Sequence, residues 1–327
     1  MNIDPIERAR AKLALRQLCR THLYDPNVSL IDVGFKSTLG QVNKSIVAIR
    51  VHVAKKFSRE QLESTVGGQA TAPVPRTVGG FPTDILEGTY RAHWLPNGFG
   101  GRGTVHANRR LTRFEPLRGG ISISRSGPYG AGTLGGVVFD RSSGAPMVLS
   151  NWHVLVANWA SRPGLPLYQP AGMDGGTPDD RVARYARDAM AVNLDAAVGY
   201  VEASRHVSAL QFEVGAVNGR ARPEREMRVV KSGRTTGVTR GEITGTDGEM
   251  TMRYGYLNRR IRGIVTIDPL NGASELSQGG DSGSLYLDEQ TRACVALHFA
   301  GSNQPERALA IDINPVVDAL SVDFAAP

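Results

Sequence analysis

The stretch Gly279-Gly280-Asp281-Ser282-Gly283-Ser284 sets a hydroxyl in a backbone nearly free of bulky side chains. A serine hydroxyl is a poor nucleophile at neutral pH. It needs a neighbouring base, and the base needs a group that orients it and stabilises its charged form. Glycines beside such a serine let backbone N–H groups approach a developing oxyanion closely. Among the seven histidines, His153 stands out because it ends the apolar run PMVLSNWHVLV, where a strand would deliver it to a loop edge. Asp195 lies inside the apolar strand pattern VNLDAAV. Burying a carboxylate there is costly unless it is hydrogen-bonded, and an imidazole N–H would satisfy it. Taken singly, these residues read more plainly as a surface turn, a packed histidine and a strand-end cap. Together, in the order His153, Asp195, Ser282, they fit acyl transfer by an activated serine.

The elements that must position these groups are short apolar runs separated by Gly, Pro, Asn and Asp. Examples are GTLGGVVFD, LDAAVGYV, MRVVKSG, IRGIVTID, SGSLYLD and ACVALHFAG. Many short strands without intervening helical periods predict a β-sandwich or barrels over 118–327, closed by a short helix in NPVVDALSV. Ahead of them, MNIDPIERARAKLALRQLCRTHL reads as a basic amphipathic helix over 1–25. SLIDVGFKS and SIVAIRVHVAKK flank the turn LGQVNK as a hairpin, SREQLEST opens like a helix, and FPTDILEGTYRAH follows as a strand. Residues 26–92 are therefore expected to form a small α/β domain. Gly and Arg then dominate up to a boundary near 117, and 93–117 reads as a linker. Gly98-Phe99-Gly100-Gly101-Arg102-Gly103 matches a dinucleotide-binding spacing, but no strand leads in and no helix leads out, so no phosphate cradle is expected. Ser232-Gly233-Arg234-Thr235-Thr236-Gly237 lacks the Lys-Ser/Thr ending of a P-loop and reads as a tight basic turn.

On LSNWHV around His153, NLDAAV around Asp195, GGDSGS around Ser282, and VVKSGRTTGVTRGEI, the sequence resembles the trypsin-like serine peptidases. It is more similar to a bacterial cytosolic type with a small α/β domain ahead of the peptidase. The resemblance implies a mainly β chain with two six-stranded antiparallel β-barrels of the chymotrypsin-like fold, preceded by an N-terminal helix and a small α/β domain. It implies Ser282 as nucleophile, His153 as general base and then acid, Asp195 as orienter, and the N–H groups of Gly280 and Ser282 as the oxyanion hole. It calls for no metal and no cofactor. Where secreted relatives of that last segment carry two cysteines, this chain has Val230 and Arg240. Leu276 aligns with the floor of the primary pocket and points to an apolar substrate side chain. His298 is similar in position to a histidine that recognises acidic side chains in glutamyl endopeptidases, against its plainer reading as a histidine satisfied within the barrel wall. Arg76-Thr77-Val78-Gly79-Gly80 imitates an activation site that would free an amino terminus to pair with Asp281. It fits better as the turn before FPTDILEG, so no such cleavage is expected.

The bulk properties bound this reading. The 327 residues exceed one ordinary domain, and 41% hydrophobic and 21% charged residues are normal for a globular protein. The net charge of +7 favours acidic partners without naming one. The first residues lack the uninterrupted apolar core of a secretion signal, and no run approaches membrane-spanning length. Two cysteines, Cys19 and Cys294, are too few for a disulfide framework, so a reducing cytoplasm is the expected compartment. The expected partner is a protein or peptide substrate, with no membrane, and oligomerisation stays open. Two other readings compete with an active peptidase: a silent peptidase-like binding module, and a nucleic-acid binder using Arg102, Arg109, Arg110, Arg113 and Arg118 around Phe114. Basic clusters of the latter kind are more often solvated linkers.

Overall fold

A computed structural model of the chain describes residues 4–38, 41–58, 61–62, 72–92, 109–125, 130–270 and 275–325. It begins with helix α1 (Pro5–His22), whose N-cap Asp4 accepts from the Ile6 N–H at 3.1 Å and whose first residue is proline. Ala11, Ala14, Leu15, Leu18, Cys19 and His22 recur at helical spacing and form its buried face. That face packs on strands β1 (Val28–Thr38), β2 (Gln41–Val53), β3 (Thr77–Val78) and β4 (Phe81–Glu87), burying Ile31, Val33, Ile49, Val51 and Phe81. β1 and β2 pair antiparallel, with Val33 opposite Ile49, and β4 runs parallel to β2, with Ile85 opposite Val51. The Arg76–Gly80 stretch forms the β3–β4 turn. Strand β5 (Arg91–Ala92) follows. Most of SREQLEST and all of the 98–103 glycine stretch lie outside the described residues.

The next strands are β6 (Leu117–Gly119), β7 (Ile121–Arg125), β8 (Gly132–Leu134), β9 (Gly136–Asp140) and β10 (Pro146–Ser150), followed by the one-turn helix α2 (Trp152–Leu155). Then come β11 (Pro166–Tyr168), β12 (Arg181–Asp188) and β13 (Ala197–Val201). β8 and β9 are one strand bent at Gly135, where a Cβ would stand 2.3 Å from the Gly283 carbonyl oxygen. Counted so, six antiparallel strands close on themselves in the order β7, β8/β9, β10, β13, β12, β11. Strands β14 (Val207–Gln211) and β15 (Gly215–Ala216) join β6 in a small three-stranded sheet. The second barrel comprises β16 (Arg228–Gly233), β17 (Gly237–Tyr254), β18 (Leu257–Pro269), β19 (Leu285–Asp288), β20 (Cys294–Asn303) and β21 (Glu306–Asp312). It closes antiparallel in the order β16, β17, β18, β21, β20, β19. Helix α3 (Ile313–Ala319) and strand β22 (Val322–Asp323), which pairs with β9, return the chain to the first barrel.

β17 spans 18 residues and β18 spans 13, longer than a barrel wall requires. An extended hairpin leaves an exposed edge that invites unwanted pairing. Here β1 covers it, with Ile31 opposite Glu249 and Gly34 opposite Gly245, so the N-terminal sheet continues the second barrel without a break. Buried charges reinforce the seam. Asp32 accepts from Arg50 Nε at 2.7 Å and from the Thr266 hydroxyl at 2.6 Å, and α1 reaches Asp247 through Arg8 and Lys12 at 3.2 and 3.0 Å. The described end of the 93–117 segment is packed as well. Arg110 is buried, donates to the Gly120 carbonyl at 3.0 Å and the Ser232 hydroxyl at 2.6 Å, and stacks over Phe212. Arg113 meets Asp180 at 2.8 Å and Arg118 lies over the Phe114 ring. The described part of the basic cluster thus serves internal contacts. Among the described residues no helix is long and apolar enough to cross a membrane.

Candidate active site

The first barrel supplies a histidine and an acid from two adjacent strand ends. β10 ends at Ser150, and the turn of α2 carries His153. Its neighbour β13 is entered through Leu194-Asp195-Ala196. Because β10 and β13 pair directly, with Ser150 opposite Ala197, the two groups meet. His153 Nδ1 lies 2.5 Å from Asp195 Oδ2, and the His153 backbone N–H donates to Asp195 Oδ1 at 3.1 Å. The Asn151 amide donates to the Asp195 carbonyl at 2.7 Å, fixing the backbone between them. A third donor comes from the second barrel: the Tyr254 hydroxyl reaches Asp195 Oδ2 at 2.8 Å. Asp195 is fully buried, and three donors meet the requirement that burial imposes on a carboxylate. With Nδ1 on the carboxylate, His153 presents Nε2, which is buried and has no hydrogen-bond partner among the described residues.

Ser282 comes from the second barrel, on the loop entering β19. That loop is fastened to β8 of the first barrel. The Thr133 N–H donates to the Ser282 carbonyl at 2.7 Å and the Thr133 hydroxyl to the Gly280 carbonyl at 2.9 Å. Gly283 takes φ +98°, and a Cβ there would stand 2.1 Å from Ser150 Oγ, so only glycine fits. Among the described residues no protein acceptor takes the N–H of Gly280 or of Ser282, while the N–H groups of Asp281 and Gly283 are both used, on Gln278 and His298 carbonyls. The Ser282 hydroxyl donates to the Phe299 carbonyl at 3.3 Å rather than to His153. The histidine and the acid are therefore joined, while the serine hydroxyl is bonded to the Phe299 carbonyl.

Asp281 explains why this loop keeps its shape. Its carboxylate is fully buried and accepts from the N–H groups of Thr235 and Thr236 at 2.9 and 3.1 Å, from the Thr236 hydroxyl at 2.6 Å, and from Lys231 Nζ at 3.2 Å. Burial pushes the Asp281 carboxyl up, but Lys231, the Thr236 hydroxyl and the Gln278 N–H outweigh it and hold it below the usual carboxylate range. The acid beside Ser282 is thus partnered from within the chain. Lys231, Thr235 and Thr236 do this work, and the sequence reading assigned them none. The available signal was a lysine inside the apolar strand MRVVKSG. Val230 and Arg240 face each other across β16 and β17, and Arg240 instead pairs with Glu289 at 2.9 Å.

The two specificity candidates are both buried in the second barrel. Leu276 packs with Val229, Ile243 and Tyr286, and its N–H donates to Glu306 Oε1 at 2.8 Å. His298 stands edge-on to Tyr286 with ring centroids 5.8 Å apart. Tyr254 was likewise missed from sequence. It sits in the polar-looking tip MRYGYLN, and nothing in that pattern points across to the other barrel.

Compared with known proteins, the chain matches no family model and no curated protein. Solved structures similar to it include Thermobifida fusca Protease A, at 17% identity and a TM-score of 0.48 over 64% of this chain and 99% of that one. Cellulomonas bogoriensis chymotrypsin is similar at 18% identity and a TM-score of 0.47, over 65% of this chain and 100% of that one. A glutamic acid specific serine protease, described as using a histidine triad in substrate binding, is similar at 18% identity and a TM-score of 0.48, over 63% and 99%. On its own strand order and closure, with histidine and acid on one barrel and the serine loop on the other, the chain has the chymotrypsin-like two-barrel fold.

Proposed function

We propose that this protein is a serine endopeptidase that works through an acyl-enzyme, with the N-terminal unit restricting which substrates reach Ser282. The observation that carries the reading is the buried His153–Asp195 pair, which occupies Nδ1 and leaves Nε2 without a partner among the described residues. For reaction, the Ser282 side chain rotates off the Phe299 carbonyl and gives its proton to His153 Nε2 as Oγ attacks the substrate carbonyl carbon. The negative charge that forms on the carbonyl oxygen is taken by the N–H groups of Gly280 and Ser282. Losing one such donor costs about 2.7–4 kcal/mol of transition-state stabilisation. His153 then protonates the departing amine, and a water activated by the same imidazole releases the acyl group. Asp195 keeps Nδ1 protonated throughout. The separate, buried thiols Cys19 and Cys294 suit a reducing cytoplasmic setting, which belongs to the same proposal.

The Ser282–Phe299 hydrogen bond favours a second reading, a peptidase-like binding module whose triad never closes. Labelling by a small fluorophosphonate separates the two. We expect stoichiometric labelling that disappears in Ser282→Ala and falls by at least about 100-fold in His153→Ala, the scale of general base catalysis. A folded wild-type chain that stays unlabelled establishes the silent module.

A further inference from the structure

The edge of β20 that faces the nucleophile carries three partners in succession. First comes β19, with Leu285 opposite Leu297. The serine loop follows: the His298 N–H donates to the Ser284 carbonyl and the Gly283 N–H to the His298 carbonyl, both at 2.9 Å, and the Ser282 hydroxyl donates to the Phe299 carbonyl. Immediately beyond, Ala300 faces Ala92 and Gly301 faces Arg91 of β5, antiparallel. The other edge is covered by β21. A single row of backbone groups thus leads from β5 to Ser282, and the direction from Arg91 to Ala92 points toward the Phe299 carbonyl that Ser282 touches. An extended peptide pairing antiparallel with Ala300 and Gly301 is delivered to the Ser282 hydroxyl. Strand addition of this kind draws its affinity from main-chain hydrogen bonds, whatever the side chains.

We infer that Arg91–Ala92 is a built-in competitor, a strand of the chain itself that occupies the peptide-binding edge beside Ser282. The inference rests on the peptidase reading of Ser282 and adds how access to it is regulated. The competitor is anchored at its root. The Tyr90 hydroxyl meets His52 Nδ1 at 2.6 Å and accepts from Arg307 Nη1 at 3.2 Å, and Tyr90 and Ala92 both pack against the main hydrophobic core. Arg307 is itself held by Asp268 at 2.6 Å. A tether this short gives the segment a high effective concentration, so a pairing of only two residues competes with dilute substrate. Two residues also form a weak ladder, so a substrate that pairs over a longer stretch displaces them. The device therefore selects for extended segments and disfavours short ones.

Adjacent positions of an antiparallel ladder alternate between bonded and unbonded pairs, so either Arg91→Pro or Ala92→Pro removes a ladder N–H. Full-length variants are compared by kcat/KM on an extended hexapeptide amide and by the labelling rate of a small fluorophosphonate, which needs no strand. Binding of a fluorescent hexapeptide is measured in the Ser282→Ala background. We expect one proline variant to raise kcat/KM about tenfold and to tighten binding similarly, the scale of one or two backbone hydrogen bonds, with labelling within about twofold. The variant Arg91→Gly/Ala92→Gly, which weakens the strand without removing a donor, moves the same way by less and serves if proline prevents folding. Labelling at Ser282 with peptide kinetics and binding unchanged in every variant overturns the competitor and leaves the peptidase standing. Absence of labelling in all of them removes the peptidase reading and the competitor with it.

Discussion

At the scale of single residues, His298 and Asp281 bear on what the proposed peptidase would cut. His298 is fully buried and edge-on to the Tyr286 ring, and the Asp281 carboxylate is held by Lys231, Thr235 and Thr236. An imidazole buried against an aromatic ring inside the barrel is a poor seat for an acid arriving with substrate. Leu276, also fully buried, belongs to the apolar core of the same barrel. We therefore expect cleavage of a peptide library after large apolar residues. Their kcat/KM should exceed that for glutamate by about tenfold or more, as expected when a charge must enter an apolar pocket without a partner. Preferential cutting after glutamate assigns His298 to substrate instead.

At the scale of elements, the β17–β18 hairpin links the two barrels. Its tip docks on the first barrel: the Trp159 indole donates to the Tyr254 carbonyl at 3.3 Å, Arg259 stacks over Trp159, and the Arg262 N–H donates to the Asn193 carbonyl at 3.1 Å. The hairpin thereby places the Tyr254 hydroxyl on Asp195. Burial and the Asp195 charge push the Tyr254 phenol well above its ordinary value, so it remains a proton donor across the working range. Tyr254→Phe removes one of three donors to the acid and leaves the substrate edge intact. We expect kcat to fall about tenfold with KM within twofold, since a hydrogen bond to a charged group contributes about 1.5–3 kcal/mol. A raised KM at unchanged kcat assigns Tyr254 to substrate binding and not to positioning.

At the scale of the whole molecule, the N-terminal unit behaves as part of the second barrel's sheet. The sequence expectation is an N-terminal amphipathic helix over 1–25, a small α/β domain over 26–92 and a linker over 93–117. What the chain builds is α1 packed on β1, β2 and β4, with β1 zipped onto β17 and a buried Asp32–Arg50 pair at the seam. Deleting residues 1–92 uncovers the β17 edge and leaves Glu249, Asp247 and Thr266 without their partners in α1 and β1. We expect the remainder to be poorly soluble or to melt at least about 10 °C lower than the full chain, from the loss of several kcal/mol of packing and pairing. A shortened chain that is monomeric and melts with the intact protein shows that the sheet extension is dispensable.

Much of this was legible in the residues. The three catalytic candidates, the many short strands of a β-sandwich or barrels, the β1–β2 hairpin and the closing helix follow from local chemistry, because strand patterns, glycine turns and an acid inside an apolar run leave marks within a few neighbours; the two-barrel arrangement came from the family resemblance. The sequence alone determined which side chains were available for acyl transfer and which segments would be strands. Only the tertiary structure decided what faces them. Tyr254 on Asp195, Lys231 on Asp281 and β5 on the edge of β20 join residues 59, 50 and more than 200 positions apart. Such pairings depend on how barrels close and which edge is left open, and no window of sequence contains either fact.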